Sequence, residues 1–188
     1  MEGLLPDLDV IRKDFPILER VLAGGQPLVY LDSANTSQKP QVVIDTMVDH
    51  LERHNANIAR AMHQLGAEST EAYENARDKV ATFLNAPSRN EVVFTKNATE
   101  ALNLVAYAFS NAAHSDIPGH ERFVLGPGDE VLVTEMEHHA NLVPWQELAA
   151  RTGAVVRWIG VDDDGRLRTD ELARVVGDRT RVLAFTHA

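Results

Sequence analysis

Two adjacent histidines, His138 and His139, lie between an apolar run typical of a strand and a segment with helical spacing. Imidazole rings bind metals, transfer protons near neutral pH and stack on flat ligands. Adjacent residues of an extended segment point in opposite directions, so the two rings are poorly placed to share one metal ion. We expect no metal site here, and contact between one ring and a planar heteroaromatic cofactor suits the geometry better. A loop histidine that bonds only to backbone is the alternative.

A second candidate site begins at Asn97, directly after a predicted strand. Asn97 is a typical helix N-cap, and Glu100 three residues later can complete a capping box. Ala98 and Thr99 then occupy the first helical turn, whose N–H groups have no partner within the helix and attract anions. The pattern predicts a phosphate-binding position without the glycines of a P-loop, although an ordinary capped helix is the commoner explanation.

A third candidate is the stretch 32–40, which is dense in small polar residues and follows another predicted strand. It contains Ala34 and Asn35. Small residues allow a backbone to approach a ligand closely, and a plain loop before a helix explains the composition equally well.

An alternation of strands and helices has to position these residues. The predicted strands are 27–33, 91–96, 130–136, 154–162 and 181–187. The predicted helices are 8–20, 40–54, 63–85, 98–111, 140–152 and 169–178. This order indicates an α/β fold with a mainly parallel, mixed sheet sandwiched by helices. Ligands bind at the carboxyl edge of such sheets, so we expect Thr99 and His138 to face one crevice there. The last strand is apolar on both faces, which predicts a central position.

Composition excludes several classes of function. The 188 residues carry a formal net charge of −10, which argues against a nucleic-acid partner. There is no cysteine, so disulfides and thiolate chemistry within these residues are excluded. No signal peptide and no apolar run of about 18 residues are evident, which predicts a cytoplasmic protein without a membrane span.

Four stretches resemble one known family in both order and spacing. They are "YLDSANTSQKP", "FTKNATEALNLVA", "TEMEHHANLVPWQELA" and "AFTHA". Together they resemble the amino-terminal half of SUF-type cysteine desulfurases, which are class V members of the pyridoxal-phosphate (PLP) fold-type I enzymes. The resemblance implies the amino-terminal part of a large domain, with 1–25 as an N-terminal segment belonging to the small domain and 26–188 as an incomplete PLP-binding domain.

The resemblance also implies roles for individual residues. Thr99 and the backbone of Ala98 would bind the phosphate of PLP. His138 would stack on the pyridine ring and assist proton transfers as the catalytic residue, with His139 supporting the loop. The segment around Ala34 and Asn35 would line the substrate entrance.

In the family reaction, L-cysteine yields L-alanine and an enzyme persulfide for iron–sulfur cluster assembly. The resemblance therefore implies a homodimer and a sulfur-acceptor protein of the SUF system as partners. The family's PLP lysine, pyridinium aspartate, substrate arginine and catalytic cysteine all lie beyond the position matching Ala188. We accordingly expect a fragment that is inactive by itself.

Two departures keep alternatives open. The family usually shows His-Arg-Gly where this sequence has Ala59-Arg60-Ala61, and a smaller residue is commoner at Asn35. These changes are compatible with a related class V lyase acting on selenocysteine or another amino acid. A truncated, non-catalytic partner for dimerisation or regulation is a further alternative.

Overall fold

The computed structural model of the chain describes residues 7–60 and 62–187. The chain divides into two compact units, Met1–Val93 and Phe94–Ala188. The described residues of the first unit are mainly helical, and the second unit contains the sheet. The predicted domain boundary after residue 25 stays a prediction.

The described residues of the first unit contain three α-helices. They are α1 (Leu8–Lys13), α2 (Gln41–Asp49) and α3 (Gln64–Phe83). Helix α2 continues into a π-helical turn, His50–His54, and the two together cover the predicted helix 40–54. Helix α3 matches the predicted helix 63–85, and its start is capped by His63, whose Nδ1 accepts a hydrogen bond of 3.2 Å from the Gly66 N–H.

The predicted helix 8–20 is interrupted. Helix α1 ends at Lys13, and a separate 3-10 turn covers Pro16–Glu19. Between them Phe15 is extended, with φ −112° and ψ 94°. A proline disfavours the helical conformation at the preceding residue and has no N–H to continue the helix, so Pro16 explains the break.

The predicted strands 27–33 and 91–96 are wrong. In the first, only Pro27 forms an isolated antiparallel bridge, with Val21. In the second, a 3-10 turn ends at Glu91, and the following residues run extended without a ladder. Apolar, β-branched residues favour a strand only where a neighbouring strand pairs with them, and among the described residues neither stretch joins a β-ladder.

The second unit contains a three-stranded parallel sheet. Its strands are β1 (Glu130–Thr134), β2 (Val155–Ile159) and β3 (Thr180–Ala184), in the order β2-β1-β3. In the register, Val131 lies opposite Val156 and Val182. The predicted strands 130–136, 154–162 and 181–187 are therefore present, although each is shorter than predicted.

The expectation that the last strand is central is wrong for the described residues, because β3 pairs with β1 alone. Burial alternates along β3, and Leu183 is 41% exposed. Val182 and Ala184 pack against the core, while Leu183 lines a cavity of about 520 Å³ on the opposite face. An apolar strand at a sheet edge leaves one row of apolar side chains poorly covered, which is the pattern seen here.

Strand β1 is the buried centre of the second unit. Helix α4 (Ala98–Asn111) coincides with the predicted helix 98–111 and packs on α5 (Val143–Thr152). On this face one buried cluster includes Val131, Val133, Trp145 and Leu148, each of which is at most 3% exposed. Burial of a side chain of this size contributes roughly 1.5–3 kcal/mol.

The other face of the sheet is covered more thinly. The predicted helix 169–178 is reduced to a 3-10 turn, Thr169–Glu171, followed by the short α6 (Leu172–Val175). Leu172 and Ile159 line the cavity beside β3. Helical segments on both faces of a parallel sheet give the predicted α/β layering.

Candidate functional site

The histidine turn, His138–Asn141, follows β1 at the carboxyl edge of the sheet. His138 is exposed, and its Nδ1 accepts a hydrogen bond of 3.1 Å from the Ala140 N–H. A neutral imidazole has one N–H donor and one acceptor nitrogen, so this bond assigns the proton to Nε2. Nε2 is then the nitrogen through which His138 can donate to a ligand.

His139 is separated from its neighbour in both position and orientation. The two ring centroids lie 6.1 Å apart, with planes tilted by 51°. His139 begins the 3-10 turn that ends at Asn141. The two rings therefore present separate surfaces and do not face a common point.

A carboxylate that sequence patterns did not single out lies beside this turn. Glu137 Oε1 accepts from the Thr134 hydroxyl at 2.5 Å, and Oε2 accepts from the Asn141 amide at 2.6 Å. Partial burial raises the pKa of Glu137, but hydrogen bonds from Thr134, Asn141 and Thr186 lower it, and the pKa lies below its ordinary value. Glu137 therefore carries a negative charge at neutral pH.

Glu135 has a simpler environment on the other side of β1. Its Oε2 accepts from the Val161 N–H at 3.0 Å, and its own N–H donates to the Ile159 carbonyl at 3.0 Å. The two acids that precede the histidines thus hold the chain segments near two different strands. Two acids following a buried strand at a carboxyl edge are the sequence signal that could have indicated this arrangement.

The second candidate site forms at the start of α4. Asn97 Oδ1 accepts from the Glu100 N–H at 2.9 Å, as predicted for the N-cap. In a capping box the Glu100 carboxylate would accept from the Asn97 N–H. Here it accepts from the N–H of the preceding residue, Lys96, at 2.6 Å. Ala98 and Thr99 are exposed, and within residues 7–60 and 62–187 their N–H groups and the Thr99 hydroxyl have no hydrogen-bond partner.

The start of α4 and the histidine turn belong to the same unit. Because 91–96 is not a strand, the predicted shared sheet edge does not connect them; helix α4 packs directly against the turn instead. Leu102, one helical turn after Thr99, lines a groove together with Asn141 and Trp145. The roles of Ala98, Thr99 and His138 toward a ligand stay predictions.

Ala34 and Asn35 lie in the first unit, in an ordered turn. The N–H groups of Asn35 and Thr36 both donate to the Asp32 carbonyl at 3.2 Å, and the Tyr30 hydroxyl donates to the Thr36 carbonyl at 2.6 Å. Their predicted place at a substrate entrance stays a prediction.

The segment that departs from the family pattern has an unusual backbone. Ala59 and Arg60 have φ values of 60° and 57°, in the left-handed region that non-glycine residues rarely adopt. The Ala59 N–H donates to the Thr70 hydroxyl at 3.0 Å, which ties this bend to α3. Ala61 lies outside the described residues.

Metal-binding clusters and membrane-spanning helices are both missing from the described ranges. Among these residues, no group of three or more His, Asp or Glu side chains is arranged to hold a metal ion. No helix in the same ranges is both long enough and apolar enough to cross a membrane.

Comparison with known sequences gives a consistent result. The sequence model of the aminotransferase class-V family matches residues 29–188. A probable cysteine desulfurase of Streptomyces coelicolor is 52% identical over 185 residues, which cover 98% of this chain and 42% of that protein. A cysteine desulfurase of Haloferax volcanii is 48% identical, with 96% and 43% covered. The chain thus spans about two-fifths of the length of these relatives.

Comparison with solved structures agrees with the sequence comparison. The crystal structure of the Escherichia coli cysteine desulfurase CsdA matches with a TM-score of 0.73 and 34% identity, over 95% of this chain and 41% of that chain. The structure named C-DES, with glycine covalently linked to PLP, matches with a TM-score of 0.62 over 95% of this chain and 40% of that one. At 22% identity the second likeness supports the fold alone. These matches confirm the predicted fold class, part of the large domain of a PLP fold-type I enzyme.

Proposed function

This chain belongs to the aminotransferase class-V family. We therefore propose that it contains the part of the cofactor site that binds the PLP phosphate in a PLP-dependent cysteine desulfurase. The substrate is L-cysteine, and the products are L-alanine and a persulfide. Relatives about 50% identical across nearly the whole chain are named cysteine desulfurases, which supports the reaction. The observation that carries the proposal concerns helix α4. Among the described residues, the N–H groups of Ala98 and Thr99 in its first turn have no hydrogen-bond partner, and the helix packs against the turn that contains an exposed histidine.

The start of α4 suits the phosphate group of PLP. The Ala98 and Thr99 N–H groups have no partner within the helix, and the helix dipole favours an anion at this end. The Thr99 hydroxyl adds a third donor. These groups bind the phosphate and so fix one end of the cofactor.

His138 suits the ring of the cofactor. Its exposed imidazole contacts the pyridine face, and Nε2 holds a proton that can move during the reaction. When bound, PLP supplies an electron sink for the substrate carbon. Ala34 and Asn35, in the first unit, line the substrate entrance in this proposal.

The phosphate position is tested by comparing PLP with pyridoxal, which lacks the phosphate. Thr99→Ala removes a donor, so the preference for PLP over pyridoxal should fall roughly tenfold or more. Ser110→Ala, which removes a hydroxyl from the far end of the same helix, is the matched control and should keep the preference. An unchanged preference in Thr99→Ala would contradict the assignment.

In this proposal the lysine that bonds covalently to PLP is none of the lysines of residues 1–188. These are Lys13, Lys39, Lys79 and Lys96, and each of them is exposed. A lysine activated for this chemistry is usually desolvated or placed beside another cation. Borohydride treatment with PLP, followed by peptide mass analysis, should therefore label none of them stoichiometrically; full labelling of any one would overturn this part.

The reaction is tested with the protein produced from its own gene, supplied with PLP, L-cysteine and a thiol reductant. Equal amounts of alanine and sulfide are expected. A strong preference for L-selenocysteine would instead favour a selenocysteine lyase. No product from either amino acid would favour a non-catalytic partner.

The same proposal includes the biological setting implied by the family. The persulfide sulfur passes to an acceptor protein of the SUF system for iron–sulfur cluster assembly, and the enzyme acts as a cytoplasmic homodimer. Sulfur transfer from labelled cysteine to a purified acceptor, with oligomeric state measured by light scattering, tests both statements.

A further inference from the structure

The Glu137 carboxylate is surrounded by hydrogen-bond donors. Oε1 accepts from the Thr134 hydroxyl at 2.5 Å and from the Thr186 N–H at 2.9 Å. Oε2 accepts from the Asn141 amide at 2.6 Å and from the Thr186 hydroxyl at 2.9 Å. One side chain thus connects the end of β1, the histidine turn and the segment after β3.

Only a carboxylate satisfies these four donors together. A glutamine at this position would turn one acceptor oxygen into an NH₂ donor. In one orientation the NH₂ meets the Asn141 amide, which cannot flip without losing the 3.0 Å bond from Trp145 Nε1 to Asn141 Oδ1. In the other orientation it meets the Thr186 N–H, which cannot accept. Either way one hydrogen bond becomes a contact between two donors.

These bonds fix the turn that contains His138 at both ends. Thr134 and Glu137 hold its beginning at β1, and Asn141 holds its end. Asn141 also donates its N–H to the His138 carbonyl at 2.8 Å and accepts from Trp145, which is 3% exposed in the core. The turn is therefore connected to the sheet on one side and to the packed face of α5 on the other.

The turn conformation in turn determines which nitrogen of His138 carries the proton. The Ala140 N–H can reach Nδ1, at 3.1 Å, only while residues 138–141 keep their 3-10 geometry. If the turn opened, Nδ1 would lose this donor and the ring would exchange between its two neutral forms.

We propose that Glu137 is the positioning residue for His138, and that its four-donor arrangement with Thr134, Asn141 and Thr186 holds the His138 ring with its proton on Nε2. The use of that proton in catalysis rests on the proposed function. The positioning itself is a property of this chain and needs no cofactor.

The test is a measurement of the ring nitrogens of His138 by long-range ¹H–¹⁵N NMR at alkaline pH, with signals assigned through His138→Gln. In the wild-type chain the two nitrogen shifts should be widely separated, as expected for one neutral form. In Glu137→Gln they should lose about half of that separation as both forms become populated. Glu135→Gln is the matched control, because the remaining oxygen of glutamine can still accept from the Val161 N–H; it should match the wild type.

A second pair of variants covers the possibility that Glu137→Gln fails to fold. Thr186→Val removes one of the four donors and should shift the nitrogens in the same direction, while Thr186→Ser should restore the wild-type separation. An unchanged separation in Glu137→Gln, or in Thr186→Val if the former is unfolded, would overturn the proposal. PLP binding is measured separately, so loss of the proposed cofactor role would leave the NMR result intact.

Discussion

The two units of this chain are stabilised by different kinds of interaction. The second unit buries a continuous apolar core around β1 and α5. In the described residues of the first unit, the buried apolar side chains are those of Ala81 and Val92 alone, while larger ones are exposed. The exposed set includes Val29, Leu31, Met47, Leu51 and Phe83. Apolar burial therefore accounts for the second unit and does not account for the first.

Polar interactions organise the first unit instead. Arg77 donates to the carbonyl oxygens of Arg89, at 2.7 Å, and Val92, at 3.1 Å, and pairs with Glu74 at 2.9 Å. The Ser69 hydroxyl donates to the His54 carbonyl at 2.6 Å. A hydrogen bond contributes about 0.5–1.5 kcal/mol net, less than a fully buried leucine, so we expect the second unit to resist unfolding more strongly.

The largest expected effect tests the core of the second unit. Leu132 is 1% exposed, so Leu132→Ala should lower the free energy of unfolding by about 2–5 kcal/mol through lost burial and a cavity. Both tryptophans, Trp145 and Trp158, lie in this unit, so urea unfolding followed by tryptophan fluorescence reports on it directly.

The matched change in the first unit is Leu31→Ala, since Leu31 is 92% exposed. It should alter stability by less than about 0.5 kcal/mol, measured by amide hydrogen exchange across the peptides of that unit. A cost comparable to that of Leu132→Ala would show that Leu31 is covered in solution, and the contrast between the units would fail.

A smaller effect tests the polar organisation of the first unit. Arg77→Ala leaves two carbonyl oxygens without their donor, which should cost about 1–3 kcal/mol and speed hydrogen exchange in α3. Arg53→Ala is the control, because Arg53 is 70% exposed and forms a surface ion pair with Asp49. Equal effects of the two variants would argue against a special role for Arg77.

Helix caps provide a finer comparison of the two units. Asn97→Ala should destabilise α4 by about 1 kcal/mol, because the Glu100 N–H loses its acceptor. His63→Ala removes the longer cap bond of α3 and should cost less. Hydrogen exchange at the first turns of both helices measures the difference; a larger loss at α3 would reverse the expected order.

The smallest expected effect concerns pH. The pKa of Glu137 lies below its ordinary value of 4.5 in the folded chain, so its contribution to stability is present above that pH. The contribution is lost as the pH falls below 4.5 through the lowered pKa. Glu137→Gln should flatten the acid side of the curve of urea midpoint against pH, and an unchanged curve would contradict the lowered pKa.

Local patterns predicted most of the second unit and the long helix of the first. The apolar periodicity of 98–111 and 63–85, the strand 130–136 and the Asn97 cap all depend on neighbouring residues, and the structure contains them. Strands 27–33 and 91–96 failed because a strand also requires a partner, which local composition does not specify.

In the candidate site, too, contacts between sequence neighbours were predictable and contacts between distant residues were not. The Asn97 cap and the Ala140 bond of His138 lie within a few residues of sequence, where spacing is informative. The bonds from Thr186 to Glu137 join residues 49 positions apart, and no local pattern indicates them. Local spacing therefore predicted the contacts that the candidate residues make with their sequence neighbours, and the fold was needed to identify the distant residues that hold them.

The bond between Thr186 and Glu137 also sets an order of events during synthesis. Ribosomes add about 5–20 residues per second, so Thr186 is made roughly 2–10 seconds after Glu137. During that interval the nascent chain lacks two of the four donors that surround Glu137 in the folded chain. The β1–β3 edge of the sheet and the full set of four donors can therefore form only after Thr186 has been added.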